Sequence, residues 1–449
     1  MDRFDVIIVG MGVGGEPAAA RLLAAGKRVA LVERELIGGE CAYWACIPSK
    51  TLLRGPEARA QAARAAGVAT PALDWPDLRD YHDYMVRHLD DTAQVKDYEQ
   101  NGATVIKGAA RLAGPGRVEV GGELLEADHV IVATGSDPVR PDIEGLDQVT
   151  VWTNREATNV RDIPGRVLLV GGSAVGVELG QFYARVGAQV TIVQRASRLV
   201  DLEDPRVSQL ARDALAADGV TIHTGRTPAR AEPASGGGAV VTLDDGTRVD
   251  TDVVILGAGR RPRTSGLGLE TVGVTPDERG AIPVDDHCRA GDGLWAVGDV
   301  TGISLFTHVA MYQGRVAAAN ILGRDRAATY HGIPRVIFAD PEIAATGYTT
   351  AQARDRGIDI AAAEITLADS IDRPWTYERD PRGHLGILAD RHRRVLVGAW
   401  AVAPLASEWI HQAALAIRAQ IPIDTLLDQV AQYPTYSGAY LAALEQLAL

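Results

Sequence analysis

Cysteine is scarce: the 449-residue chain contains three. So few thiols in so long a chain exclude the disulfide framework of a small secreted domain. Long apolar runs are missing too, and none approaches the roughly 18 residues a membrane-crossing helix needs. The opening stretch, MDRFDVIIVG, has an apolar run too short for a signal peptide and closes on glycine. Positive charge is in deficit, 45 Lys and Arg against 58 Asp and Glu, and the net −13 argues against nucleic acid or anionic membranes as partners. Low complexity is confined to the Ser235–Gly238 loop. What remains, 46% hydrophobic and 23% charged, is ordinary for a globular protein, and the length suggests about three domains. A cytoplasmic enzyme is expected.

Two of the three cysteines, Cys41 and Cys46, fall in one stretch, GGECAYWACIPSK from Gly38 to Lys50. Redox chemistry, metal binding and plain packing are all open to such a pair, and spacing does not decide among them. On an undistorted helix, residues five apart lie roughly 8.7 Å apart at Cα. A disulfide tolerates less than about 7 Å, so a bond would need a bent or overwound turn. Pro48 lacks a backbone donor and makes such a bend easier.

The flanking sequence adds direction. Phe4–Val9 reads as a buried strand, Gly10-Met11-Gly12-Val13-Gly14-Gly15 as a turn, and the Ala/Leu-rich run to about Ala25 as a helix. A second strand, Arg28–Val32, closes on Glu33. Strand, GxGxxG, helix, strand, acid is the order of a dinucleotide-binding unit. Its glycines admit a pyrophosphate at the helix N-terminus, and Glu33 suits a ribose 2′-hydroxyl. A mostly helical section from about Thr51 to Asn101 follows. Strands are then expected at Thr104–Ile106, Arg117–Val120, Glu123–Glu126 and His129–Ala133, the last ending in Thr134-Gly135.

The pattern then repeats. Arg166–Val170 is a strand, Gly171-Gly172-Ser173-Ala174-Val175-Gly176 the turn, the run to about Val186 a helix, and Gln189–Val193 a strand ending in Gln194-Arg195. Gly10 to Glu33 and Gly171 to Gln194 share one separation, 23 residues. A hairpin before an apolar strand recurs as well, with Val253–Leu256 closed by Gly257. Two such units imply two dinucleotides. In the second, Gln194, Arg195 and Arg198 stand where the first has an acid; arginines bind a 2′-phosphate that an acid would repel, which favours NADPH over NADH. Ser173 in place of the middle glycine tightens the approach to the pyrophosphate. Asp299, at the end of GLWAVGDV, suits a sugar or ribityl hydroxyl. From about His331 the chain reads as an α+β tail with strands near Arg335–Phe338, Gly383–Asp390 and Val395–Ala401 and a helix at Ser407–Ala419, without a nucleotide motif. An interface is its expected role.

Taken together, GMGVGG, GGECAYWACIPSK, VIVATGSDP, GGSAVGVE, GAGRRP, GLWAVGDV and FADPEIAATG resemble, in order and over essentially the whole chain, the FAD-dependent pyridine nucleotide-disulfide oxidoreductases, such as glutathione reductase, dihydrolipoamide dehydrogenase and mercuric reductase. The resemblance implies an α/β fold of two Rossmann-like domains and an α+β dimerisation domain. The implied spans are 1–148 and 276–328 for FAD, 149–275 for NAD(P) and 329–449 for dimerisation. It implies a redox-active disulfide, with Cys41 the interchange thiol and Cys46 the thiol against the flavin. Lys50 would sit near the flavin and pair with Glu178, as a buried charge requires a partner. Gly10, Gly12, Gly15, Glu33, Thr134, Gly135 and Asp299 would bind FAD. Gly171, Ser173, Gly176, Gln194, Arg195, Arg198 and Gly257 would bind NADPH. The implied reaction takes hydride from NAD(P)H to flavin, electrons to the disulfide, and thiolate to a small-molecule substrate.

The departures bear on the substrate. Disulfide-handling members carry a C-terminal histidine, supplied by the partner subunit of a homodimer, and a glutamate that orients it. Here Tyr433 takes the histidine position and Gly438 the glutamate position. With a pKa of about 10, tyrosine donates a hydrogen bond at neutral pH but accepts protons poorly. A positioned acid-base group contributes ~10²–10⁴-fold, so efficient dihydrolipoamide or glutathione-type turnover is disfavoured. His308 and His411 are the alternative acid-base candidates. Mercuric reductase also lacks the histidine but uses an extra C-terminal cysteine pair, and this chain closes on GAYLAALEQLAL. Cys288 reads as structural. Tyr43 and Trp44 either wall a flat apolar pocket or pack the core. The expectation is a homodimeric FAD- and NADPH-dependent reductase of a disulfide or another small electrophile, with no metal; direct reduction of quinones from the flavin is the alternative.

Overall fold

The computed structural model describes residues 3–449. The chain divides into two compact units, the first from residues up to Ser49, Arg79–Val139 and Gly259–Thr329, the second from Lys50–Leu78, Arg140–Ala258 and Tyr330–Leu449.

The first unit is built on a sheet whose strand order is Arg289–Gly291, Leu294–Ala296, Glu123–Val132, Arg3–Val9, Val29–Glu33, Thr104–Lys107. The central pairs are parallel, with Val6 opposite Val29 on one side and His129 on the other. All five residues of Val29–Glu33 are buried, and the first four are an unbroken apolar run, as in a strand covered on both faces. The helix Gly15–Ala24 buries Ala18, Ala19 and Leu22 against this sheet. The runs Glu123–Glu126 and His129–Ala133 prove to be one ten-residue strand. Its first half pairs antiparallel with Arg117–Val120, while Glu126 onward pairs parallel with Arg3–Val9. The half-exposed start and the buried end have different patterns, so the sequence breaks where the strand does not.

The second unit repeats the parallel design, with order Thr221–Thr224, Gln189–Gln194, Arg166–Val170, Val253–Leu256, Val151–Trp152. The helix Ala174–Arg185 buries Val177, Leu179 and Phe182 beside it. The tail folds as a five-stranded antiparallel sheet, Pro334–Ile337, Glu342–Gly347, Val395–Ala403, His384–Asp390, Ile360–Thr366. The helix Ala406–Ala419 closes a core with Ile387, Ala399 and Trp409. Ile360–Thr366 has no counterpart in the sequence reading, because IAAAEIT is alanine-rich and lacks the β-branched density that marks a strand. No helix among the described residues is long and apolar enough to cross a membrane.

Candidate active site

The two glycine-rich turns share one construction. Gly10 has φ +99° and a Cβ there would lie 2.4 Å from the Ala133 carbonyl oxygen; Gly171 has φ +119° and a Cβ would lie 2.2 Å from that of Gly257. At Gly15 and Gly176 a Cβ would come within 2.2 and 2.0 Å of the carbonyl oxygens of Gly10 and Gly171. First and last glycines are thus required by the chain's own backbone. Gly12 is not: a Cβ there would meet only the Gly39 Cα, at an ordinary 3.7 Å. A glycine that the protein's own packing does not need is what a ligand backbone approach calls for, so the loop fits a dinucleotide pyrophosphate. Ser173 stands at the equivalent place in an extended conformation, heading the Ala174–Arg185 helix without capping it.

Glu33 is buried, and its carboxylate accepts from the Met11 amide at 2.8 Å and the Glu35 amide at 2.8 Å. Gln194 does the same for the second loop, its Oε1 accepting from the Gly172 amide at 3.0 Å. The glutamine therefore keeps the acid's role in holding the turn while carrying no charge. Arg195 is exposed, but the Arg198 guanidinium donates to the carbonyls of Asp201 (2.5 Å) and Glu203 (2.7 Å) and to Ser208 Oγ (2.6 Å). Arg198 therefore braces the turn before the helix Pro205–Ala217, and Arg195 is the more available cation.

Thr134 donates to the Arg263 carbonyl at 2.7 Å and Gly135 has φ +73°, completing the turn after the central strand. Asp299 accepts from Ser136 Oγ at 2.6 Å, and Arg260 Nε donates to that same oxygen at 2.7 Å. Burial pushes the Asp299 carboxyl above the usual range, against the Ser136 hydrogen bond and the Arg260 charge.

The cysteine stretch begins by packing on the first loop: the Gly38 amide donates to the Met11 carbonyl at 2.8 Å, and a Cβ on Gly39 would press to 2.8 Å of Gly12 Cα. The paired glycines before Cys41 thus anchor the stretch, a role the sequence reading did not assign. No single helix carries both thiols. Gly39–Tyr43 ends at Trp44 (φ −137°), and a new helix, Cys46–Arg64, starts at Cys46. Pro48 lies in the first turn of that helix, where a missing donor costs nothing, so the bend comes from the break rather than from the proline. Both sulfurs reach one hydroxyl: Thr307 Oγ1, at the start of the helix Thr307–Ile321, is 3.2 Å from Cys46 Sγ and 3.5 Å from Cys41 Sγ. The two sulfurs are therefore no further apart than those two contacts end to end. Tyr43 is fully buried with its hydroxyl on the Ile37 carbonyl at 3.2 Å, so it packs the core, while Trp44 stays half-buried.

In the second unit, Lys50, one turn beyond Cys46 on the same helix, places its ammonium 2.6 Å from the buried Glu178 and 4.8 Å from the Phe338 ring centre. The other Glu178 oxygen accepts from the Phe338 amide at 2.9 Å. That loop is pinned in turn. Gln181 exchanges two hydrogen bonds with the Asp340 backbone, 2.7 and 3.0 Å. The buried Asp340 carboxylate meets Arg64 (2.8 Å), Arg185 (3.0 Å) and Arg382 (3.1 Å). Beside Lys50 opens a cavity of about 200 Å³ walled by Leu53, Phe182 and Phe338, with Arg54 and Glu57 on its rim.

Tyr433 is 76% exposed and donates to Asp372 at 2.7 Å. That hydrogen bond raises its pKa above the ordinary phenol value. His411 is exposed on its helix, and His308 stacks on Phe306 at 5.3 Å. Cys288 is fully buried among Ile131, Ala133 and Trp295, as a structural residue should be.

Comparison with known proteins supplies the context for this geometry. Residues 4–314 match the pyridine nucleotide-disulphide oxidoreductase family model, and residues 333–444 match that family's dimerisation domain. The chain belongs to this family. Mercuric reductase of Streptomyces lividans is 36% identical, covering 98% of this chain and 96% of the relative. Dihydrolipoyl dehydrogenase of Thermus scotoductus is 34% identical over 100% of this chain and 98% of the relative. The HOCl-induced flavoprotein disulfide reductase RclA of Escherichia coli superposes with TM-score 0.88 at 26% identity, covering 98% of this chain and 99% of that one. As a pyridine nucleotide-disulphide oxidoreductase the chain is an oxidoreductase that uses FAD and a pyridine nucleotide. The turns at Gly10 and Gly171 fit those two groups.

Proposed function

We propose that this protein is a homodimeric, NADPH-dependent reductase in which Cys41 and Cys46 cycle between disulfide and dithiol and pass two electrons to a small disulfide-type electrophile. The observation that carries the reading is the meeting of both sulfurs at the Thr307 hydroxyl, from two helices broken apart at Trp44. Gly10, Gly12, Gly15, Glu33, Thr134, Gly135 and Asp299 would hold FAD. Gly171, Ser173, Gly176, Gln194, Arg195 and Gly257 would hold NADPH, with Arg195 facing the 2′-phosphate and Arg198 bracing the neighbouring turn. FAD, when bound, supplies the passage of electrons from the nicotinamide to the sulfur pair.

The chain's own groups then do the rest. Cys41, as thiolate, bonds to one substrate sulfur while the substrate S–S bond breaks and its electron pair leaves on the other sulfur. Cys46, as thiolate, bonds to Cys41 and displaces the second substrate thiolate; solvent supplies the two protons. Lys50, fixed by Glu178 and Phe338, holds one positive charge in place throughout. Tyr433 of the partner subunit takes the histidine place. Bonded to a carboxylate and kept protonated, it positions substrate but does not serve as a base at neutral pH.

A second reading, reduction of quinones or other flat electrophiles directly from the flavin, draws support from the cavity between Phe182 and Phe338 beside Lys50. Anaerobic titration of the flavoprotein with NADPH, and separately with NADH, on the parent and on Cys46→Ser decides between them. The dithiol reading expects a long-wavelength thiolate-to-flavin absorbance in the parent that Cys46→Ser lacks, reached at lower concentration with NADPH. Direct bleaching in both proteins without that band would sink it and leave the quinone reading.

A further inference from the structure

The residue that touches both thiols carries no motif of its own. Thr307 lies 266 residues beyond Cys41, yet its single hydroxyl stands between the two sulfurs. A threonine hydroxyl has one proton to donate and lone pairs to accept with. The Thr307 hydroxyl donates toward Cys41 Sγ at 3.5 Å, which leaves its oxygen to accept from Cys46 Sγ at 3.2 Å. The result is a directed chain of two hydrogen bonds, Cys46 S–H to Thr307 O–H to Cys41 S.

We propose that Thr307 is a proton relay between the two thiols. In a dithiol that has lost one proton, the Cys46 proton moves to the Thr307 oxygen as the Thr307 proton moves to the Cys41 thiolate. Cys46 is left as thiolate and Cys41 as thiol, with one proton exchanged and no change in total charge. The reverse shift regenerates the Cys41 thiolate for attack. The pair thus selects which sulfur is nucleophilic without an external base, and this is the part of the acid-base task left open where Tyr433 replaces histidine. The site also favours the singly ionised state. Cys46 opens its own helix and Thr307 opens another of 15 residues, so the partial positive ends of both lie at the sulfurs.

The inference rests on reading Cys41 and Cys46 as the redox pair, and its test does not depend on turnover. The full-length flavoprotein is reduced, freed of reductant under argon and alkylated with iodoacetamide across a range of pH. Peptide mass spectrometry then gives the rate at each cysteine. A hydrogen bond to a charged acceptor contributes enough for about a tenfold change in thiolate population. Thr307→Val should therefore lower alkylation of both cysteines about tenfold at neutral pH and move the midpoint of its pH dependence up by about one unit. Thr307→Ser, which keeps the hydroxyl, should restore both to within about twofold. Thr307→Ala, judged by retained flavin, repeats the loss without the bulk of valine. Parent-like rates and midpoints in the valine and alanine proteins would overturn the relay, as would a loss confined to one cysteine. Failure of the NADPH titration to show the thiolate band, with the alkylation result intact, would strike the redox reading and not the hydroxyl's role.

Discussion

Cys41→Ser protein, supplied with NADPH and a small disulfide, should turn over on the order of 10³-fold more slowly than the parent, or worse, because serine's hydroxyl is a far weaker nucleophile than a thiolate. Its reaction with a quinone should change little. The assay is steady NADPH consumption, followed by the absorbance of the reduced nicotinamide, with each acceptor in turn. The contrast between acceptors matters more than either rate. A fall with both acceptors would mean the substitution had damaged the fold or the flavin site, and no fall with the disulfide would remove Cys41 from the reaction.

Asp340→Ala should be the most destabilising single change in the second unit, by about 3–5 kcal/mol. The reason is geometric: Arg64, Arg185 and Arg382 converge on this one buried carboxylate, with Glu378 shared by Arg64 and Arg382 and Asp218 beside Arg185. Removing Asp340 leaves Arg185 to Asp218, and Arg64 and Arg382 to share Glu378, so three part-buried guanidiniums face two carboxylates, while the Gln181 bonds to the residue 340 backbone remain. The urea midpoint reads the loss. The network also makes stability depend on acid. Burial works against the Asp340 charge, but Arg185, Arg382 and Arg64 outweigh it and hold the carboxyl below the usual range. Its contribution is therefore complete above about pH 4, the unfolded value, and disappears as the pH falls through the lower folded value. Asp340→Ala should flatten that acid limb, and an unchanged urea midpoint would show that the arginines find other partners.

What was legible in the sequence was whatever is encoded locally or carried by a motif. The two strand–turn–helix units and their equal spacing follow from local pattern, and the glycines at 15 and 176 from carbonyls five residues before them; those at 10 and 171 are legible through the motif, although the carbonyls they clear, Ala133 and Gly257, lie far along the chain. The Lys50–Glu178 pair, 128 residues apart, is legible through the family resemblance and not through local pattern. The contacts that sequence order does not record were missed: Thr307 at the sulfurs, Gly39 against Gly12, and Gln181 on the Asp340 backbone. In the sequence Gln194 reads as the absence of an acid, whereas in the fold it holds the Gly172 amide as Glu33 holds that of Met11. Arg198, placed by the sequence at a phosphate, is largely committed to backbone carbonyls. The distortion expected from Pro48 is a gap between two helices, which a pattern of single residues does not distinguish from a bent one.

The burial of Cys288 gives the protein a stoichiometry. With that sulfur sealed among Ile131, Ala133 and Trp295, a thiol reagent added to the folded, reduced protein should count two equivalents per chain, and three once the chain is unfolded. The difference of one is an internal standard: any sample that counts three while folded has lost the packing of its first sheet.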